Sequence, residues 1–293
     1  VLKKKGKHLP LSAISAILFI LFVLYWAFAH REAVSGKLGG TFRSRPVPAE
    51  YVRLKDYLVA KPGFSRVLWV PDRQRYGFYS YDSPGLSIEA FGIASPSSFI
   101  SWIGRPEAEE RLRRYAVSDI VVPTDPFGEL FVTDRRYDDE KRVSVIAALR
   151  ADPDVKEITG FGDIAVFQTR STYGHAYFTD TPNEPLDIQR ITPTHHELIL
   201  PSFNQARTLV FSESYDPYWE LKLGTQRLSP HKTSDGIQEY QVDTFPGGRA
   251  HLRYRPQQFV SYGLAVSGIT LVVLIGYLSY TTIVPIFITL VRK

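Results

Sequence analysis

The chain has 293 residues, 44% of them hydrophobic and 22% charged, with a formal net charge of +5. That is the composition of a folded chain long enough for one large domain or two ordinary ones, and it excludes a disordered one. There is no Cys, which excludes disulfides, thiolate nucleophiles and Cys-based metal sites. There is no Met either; with Val1 at the start, this points to a segment of a longer chain, a non-standard start codon being the alternative.

The positive charge is not patterned for nucleic acid, and no nucleic-acid partner is expected. The dense basic run is Lys3, Lys4, Lys5 and Lys7, directly before an apolar stretch, which suits an anionic membrane face. Residues 9–29 carry no charged side chain, and at about 1.5 Å per residue such a helix just crosses a hydrocarbon core of about 30 Å. Residues 259–291 are uncharged as well, longer than one span needs, so 259–280 is read as the second transmembrane helix, with Pro285 marking a break or interfacial end. Cations before the first span (residues 1–8) and after the second (Arg292, Lys293) place both ends in the cytoplasm and the middle outside. Arg31, Arg253 and Arg255 near the outer ends run against that trend. A cleaved signal peptide is the rival reading of the N-terminus, with Ala27-Phe28-Ala29 as the cleavage region, although the apolar run is long and ends in bulky Tyr25 and Trp26.

Residues 30–48 are rich in Gly, Pro and Ser and read as a linker. From 49 to 172 the pattern is a small α/β domain. Tyr51, Leu54, Tyr57 and Leu58 recur at helical spacing, and Pro62-Gly63 ends that helix. Residues 66–70 form a buried strand, 72–104 an aromatic loop, 107–115 a helix, and 119–122 a second buried strand. Residues 124–140 are polar loop, 142–149 a third helix, and 155–158 with 164–168 a hairpin. From 177 to 256 the pattern changes to strands alone, at 187–192, 196–200, 207–213, 219–223, 238–242 and 250–254. Turn signals such as Asp216-Pro217 and Pro246-Gly247-Gly248 separate them, and this spacing predicts a β-sandwich with Trp219 in its core. The whole is expected to be α+β: two transmembrane helices flanking an extracytoplasmic α/β domain followed by a β-sandwich.

The scan for chemistry finds no phosphate loop, HExxH, GxSxG or dinucleotide fingerprint, so no cofactor is expected. Asp138-Asp139-Glu140 reads as solvated loop rather than a metal cluster, because consecutive residues splay apart. His195-His196 lie on a strand and should point to opposite faces, which argues against a shared metal.

Two segments carry a resemblance: LVFSESYDPYWELKLGTQRLSP (209–230) and VDTFPGGRAHLRYRPQQF (242–259). The residues that carry it are Ser212, Glu213, Tyr215, Trp219, Gly224, Pro246, Gly247, Gly248, Tyr254 and Pro256. RYAVSDIVVPTD (114–125) and VKEITGFGDIAVFQTR (155–170) are compatible with it. This region resembles the C-terminal end of YfhO-like membrane proteins, within the GT-C class of polyprenyl-phosphate-sugar-dependent glycosyltransferases. The resemblance implies an outer portion of a polytopic enzyme, with the lipid bilayer, a lipid-linked sugar and a cell-envelope glycan acceptor as partners. Such enzymes carry many transmembrane helices and a catalytic carboxylate in their first outer loop. Neither is in this chain, so no catalytic residue transfers. Tyr76, Tyr79, Tyr81 and Asp82 are the candidate glycan contacts, because sugar C–H faces stack on aromatic rings and carboxylates take hydroxyls; packing of the rings on the core is the competing reading. The alternative function is a stand-alone, membrane-anchored module that binds glycan or protein without enzymatic activity.

Overall fold

The computed structural model describes residues 11–31, 46–73, 76–124 and 139–291. Most of the linker, the basic N-terminal end, most of the 124–140 loop with Asp138, and Arg292 with Lys293 lie outside the described residues.

Helix α1 covers Leu11–Ala29. Helix α2 (Ala49–Val59) follows Pro48, carries Glu50 in its first turn where the helix dipole favours a carboxylate, and buries Tyr51, Leu54 and Leu58 on one face. It covers one side of a five-stranded sheet. That sheet contains β1 (Arg66–Trp69), β2 (Gly85–Ser87), β3 (Val117–Val122), β4 (Val155–Ile158) and β5 (Ala165–Thr169), in the order β2-β1-β3-β5-β4. β1 runs parallel to β2 and β3, whereas β5 is antiparallel to β3 and β4.

The period-two alternation of a strand divides its side chains between two cores. Val67, Trp69 and Val121 join the α2 face, with Phe161, Ile164 and Val166. Leu68, Val70, Ile120 and Val122 face the other way, onto helices α3 (Pro96–Ile103), α4 (Pro106–Arg114) and α5 (Asp139–Ala151). Each fully buried aliphatic side chain of this kind contributes about 1.5–3 kcal/mol.

Helix α3 and strand β2 occupy the stretch expected to be an aromatic loop. α3 forms because Ser95 caps it, its side chain accepting from Ser98 N at 3.2 Å, with Pro96 at the first position and Phe99 and Ile103 buried one turn apart. Asp139 and Glu140 are exposed in the first turn of α5, where acidic residues favour a helix start.

Beyond residue 175 the described elements are strands until the final helix. β6 (Ala176–Phe178), β9 (Arg207–Ser214), β12 (His231–Lys232) and β13 (Ile237–Val242) make one antiparallel sheet. β7 (Ile188–Thr192), β8 (His195–Leu200), β10 (Trp219–Leu223), β11 (Gln226–Leu228) and β14 (Gly248–Tyr254) make another, in the order β11-β10-β14-β8-β7. Phe178, Leu209, Phe211 and Tyr240 of the first share a core with Leu198, Leu221, Leu223 and Leu252 of the second. Trp219 lies at the rim of that core, partly buried, rather than at its centre. Its neighbours are Phe211, at 5.4 Å between ring centroids, and Tyr254, at 5.5 Å.

These sheets are joined to the α/β part. Tyr173, Tyr177, Val210 and Ile237 belong to the same core as Phe99 and Leu149. Asp235, in the turn before β13, pairs with Arg114 of α4 at 2.6 Å.

Helix α6 covers Gln257–Val291 and runs unbroken through Pro285, where a break or an interfacial end was expected. The missing N–H of one proline removes one hydrogen bond and leaves the rest of the ladder in place. Among the described residues, Gln257–Tyr277 is the helix long and apolar enough to cross a membrane by length and composition, and its side chains are all exposed. α1 has the apolar character expected of it, but its described side chains, Ile17–Ala29, make only a shorter apolar helix.

Candidate functional site

The site lies where the start of β1 meets the end of β9. Pro62-Gly63 stops the α2 segment and turns the chain, so Phe64, Ser65 and Arg66 enter the first sheet beside the two-sheet region. Ser65 N donates to Asp82 O at 2.9 Å, and Arg66 N to Ala116 O at 2.7 Å, which fixes this entry.

Arg66 is buried, at 4% exposure. Its guanidinium donates to Tyr115 O at 2.9 Å and Ser212 Oγ at 3.0 Å, and pairs with Glu213 at 2.8 Å. A buried cation is tolerated only with such compensation. Burial still lowers its pKa, with Glu213 opposing.

The same Glu213 oxygen accepts from His175 Nε2 at 2.8 Å. Burial works to raise the pKa of this carboxyl, but Arg66 and His175 outweigh it and hold the carboxyl at about 2. His175 is sandwiched between Phe64 (3.7 Å between centroids) and Phe211 (4.6 Å), and meets His196 edge-on at 5.3 Å. Burial depresses both imidazoles; His196, which also feels His175, falls to about 4. Both rings are therefore neutral at neutral pH.

A cavity of about 530 Å³ opens beside this cluster. Phe64, Asp82, His175, Asp187, Arg190 and His196 line it. Its volume lies in the range of small-molecule sites. Gly174 also lines it, with φ +81°, and a Cβ there would lie 2.7 Å from Pro185 Cβ, so only glycine fits this wall. His196 is 5% exposed, and its Nδ1 is buried without a hydrogen-bond partner among the described residues. A neutral imidazole nitrogen can donate or accept, and a hydroxyl can satisfy it either way. The wall thus offers an aromatic face, two carboxylates, a guanidinium and two uncharged imidazoles.

The four residues expected to contact glycan divide between two places. Asp82 lines the cavity; Tyr81 does not, but its ring lies beneath the guanidinium of Arg190, which does, 3.0 Å from the ring centroid. Tyr81 is 64% exposed. Tyr76 instead packs on the α2 side, partly buried, 5.7 Å from the Tyr51 ring, and Tyr79 is exposed beneath Arg73 at 4.2 Å. His195 and His196 do face opposite ways: His196 enters the cluster, whereas His195 meets His251 at 3.2 Å on the outer face. Among the described residues, no group of three or more His, Asp and Glu side chains is placed to hold a metal ion.

The residues sequence reading did not single out are Arg66, His175, His196 and Glu213 as a unit. Glu213 entered only among the residues that carry the resemblance. A cation opening a strand as apolar as Val67-Leu68-Trp69-Val70 was the available signal, since a buried charge requires a partner.

No protein-family model matches the chain, and no curated protein matches it. Three solved structures do, all of arabinofuranosyltransferase AftD from Mycobacteria. Two classes of a mutant each match at TM-score 0.27 and 18% identity, over 39% of this chain and 9% of that one. A third structure of AftD matches at TM-score 0.23 and 21% identity, over 36% of this chain and 8% of that one. The matched region is thus a small part of a much longer arabinofuranosyltransferase chain.

Proposed function

We propose that this chain is an outer, membrane-anchored portion of a GT-C-like, YfhO-related membrane glycosyltransferase. On this reading it is non-catalytic, and its cleft holds a hydroxyl-rich stretch of a cell-envelope glycan acceptor near a lipid-linked sugar. The observation that carries the glycan part is the lining of the cavity: the Phe64 ring stands beside Asp82, Asp187 and Arg190, an apolar face next to charged groups that can take hydroxyls. The enzyme class is supported by the resemblance of residues 209–230 and 242–259. Ser212 and Glu213 of that motif hold Arg66, so these two motif residues belong to the joint beside the cleft.

The same reading treats 49–172 and 177–256 as an α/β domain and a β-sandwich, held outside by α1 and α6 with both ends in the cytoplasm. Labelling tests this in a Cys-free chain: Thr124→Cys should react with an impermeant thiol reagent in intact cells and Lys7→Cys should not.

The test of function is binding of cell-envelope oligosaccharides to the full chain in neutral detergent. Tyr81→Ala and Asp82→Asn should each weaken binding several-fold, while Tyr79→Ala should leave it unchanged. Equal loss in all three, or no binding by the wild type, rejects the cleft. A transfer assay with polyprenyl-phosphate sugars tests the non-catalytic reading; turnover abolished by one carboxylate change in 45–255 would make the chain an enzyme. The stand-alone module shares the cleft and differs in genomic context: many hydrophobic spans encoded upstream of Val1 favour the glycosyltransferase.

A further inference from the structure

β14 ends at Tyr254 and α6 starts at Gln257, so only Arg255 and Pro256 separate a central sheet strand from the long apolar helix. A second cavity, of about 600 Å³, opens at this junction. The β10–β11 hairpin supplies Glu220 and Arg227, β8 supplies His195, and the strand–helix junction supplies Arg253, Arg255 and Gln258.

The charge is unbalanced. Arg227 pairs with Glu220 at 3.3 Å, and Arg253 donates to His195 at 3.4 Å. Among the described residues, neither Arg253 nor Arg255 has a carboxylate within ion-pair distance. Two guanidiniums without counter-charge therefore stand within a few residues of an uncharged helix whose side chains are all exposed.

That position is also where cations are unexpected. The flanking charges put this end of α6 on the outer side, and excess Lys and Arg normally mark the other side. Arginine presents a planar fork that matches phosphate oxygens two at a time. A helix entering a bilayer brings this cavity to headgroup depth, where such groups are dense.

We propose that this cavity binds the headgroup phosphate of an anionic phospholipid, held by Arg253 and Arg255 with Gln258 as a polar neighbour. The proposal rests on α6 spanning the membrane and not on the glycan cleft. The lipid would set the depth of the outer region at the surface and neutralise the cations that the helix carries with it.

The experiment uses the full chain in nanodiscs of phosphatidylcholine containing one part in five of phosphatidylglycerol. After release into neutral detergent, retained lipid is counted by native mass spectrometry. The wild type should retain phosphatidylglycerol in preference to phosphatidylcholine. Arg253→Gln/Arg255→Gln should reduce that preference by roughly fivefold for each charge removed. Arg255→Lys should keep part of it, and Arg249→Gln, a change on the same sheet away from the cavity, should keep all of it. Equal retention by the wild type and the double variant overturns the proposal, as does an equal loss in Arg249→Gln. Inorganic phosphate that displaces phosphatidylglycerol completely at millimolar concentration places a soluble anion there and overturns it too. A chain that fails to enter nanodiscs overturns both this proposal and the membrane reading beneath it, whereas entry without lipid preference overturns this proposal alone.

Discussion

Phe64 lies flat on His175, with ring centroids 3.7 Å apart and planes inclined by 7°. The contact joins the residues before β1 to the residues before β6, so the two parts of the chain meet through stacked rings above a buried ion pair. Phe64 also lies 4.9 Å below the Arg66 guanidinium. Ring, imidazole, carboxylate and guanidinium thus form one continuous joint, and its integrity is testable residue by residue.

Glu213→Gln leaves Arg66 with 5% of its side chain exposed and no counter-charge. Because Glu213 itself is 35% exposed, breaking this pair from one side should cost less than a fully buried one, about 1–3 kcal/mol. Thermal or urea unfolding of the full chain in detergent, followed by near-ultraviolet circular dichroism, should show that loss. Arg66→Met combined with Glu213→Gln should recover part of it, because neither partner is then stranded. A loss below about 0.5 kcal/mol would mean the pair is effectively at the surface.

Acid should loosen the same joint. His196 titrates at about 4 in the folded chain against 6.5 ordinarily, and His175 is lowered as well. The unfolded chain therefore binds these protons first. Stability is full above about pH 6.5 and falls as the pH drops toward 4, by about 3 kcal/mol for His196 alone. Glu213, held at about 2 against 4.5, adds a second loss as the pH falls from 4.5 toward 2. Midpoints of thermal unfolding between pH 7.5 and 4 measure the first of these. His196→Phe should flatten the curve; an unchanged slope in that variant refutes the assignment.

The regular elements were legible where local physics decides them. The strands at 207–213, 219–223 and 250–254 appear within two residues of their expected bounds, because alternation and turn residues act over a few positions. α3 was hidden by its aromatic content, although Ser95-Pro96 followed by Phe99 and Ile103 carries a helix start and one apolar face. β6, β11 and β12 are two or three residues long, too short for a period to show. The joint was not legible: Arg66 and Ser212 are 146 residues apart, and nothing near either names the other. Tyr76 and Tyr81 illustrate the same limit, since five residues of irregular chain carry one ring to the α2 face and the other beneath Arg190.

A second buried pair makes an independent test. Asp119 on β3 is fully buried and receives Lys61 Nζ at 2.6 Å and Tyr57 Oη at 3.0 Å. Apart from Ser118, which also donates to it, the rest of its strand is apolar, and Lys61 just beyond α2 closes over it. Lys61→Met should cost about 3–5 kcal/mol, and Asp119→Asn with Lys61→Met much less. If Lys61→Met is neutral in the same unfolding measurement, water reaches Asp119 and the pair is not a structural clamp.

Rim and centre of the two-sheet core should differ. Trp219→Ala removes a half-buried ring and should cost about 1–3 kcal/mol, whereas Phe211→Ala, at 0% exposure, should cost about 3–5 kcal/mol. Parallel unfolding curves compare them directly. A larger loss at Trp219 would reverse the order and place the indole at the centre.

The short Arg255-Pro256 connection has a mechanical consequence. β14 lies inside its sheet, paired over five residues with β10 and over six with β8. Inter-strand hydrogen bonds run perpendicular to the strands. A pull on α6 directed along β14, as by a tethered polymer outside, therefore reaches the sheet along the length of that strand. It loads both ladders in shear, all bonds together, instead of peeling an edge strand one bond at a time. The helix is attached at the one kind of strand position that resists being pulled out.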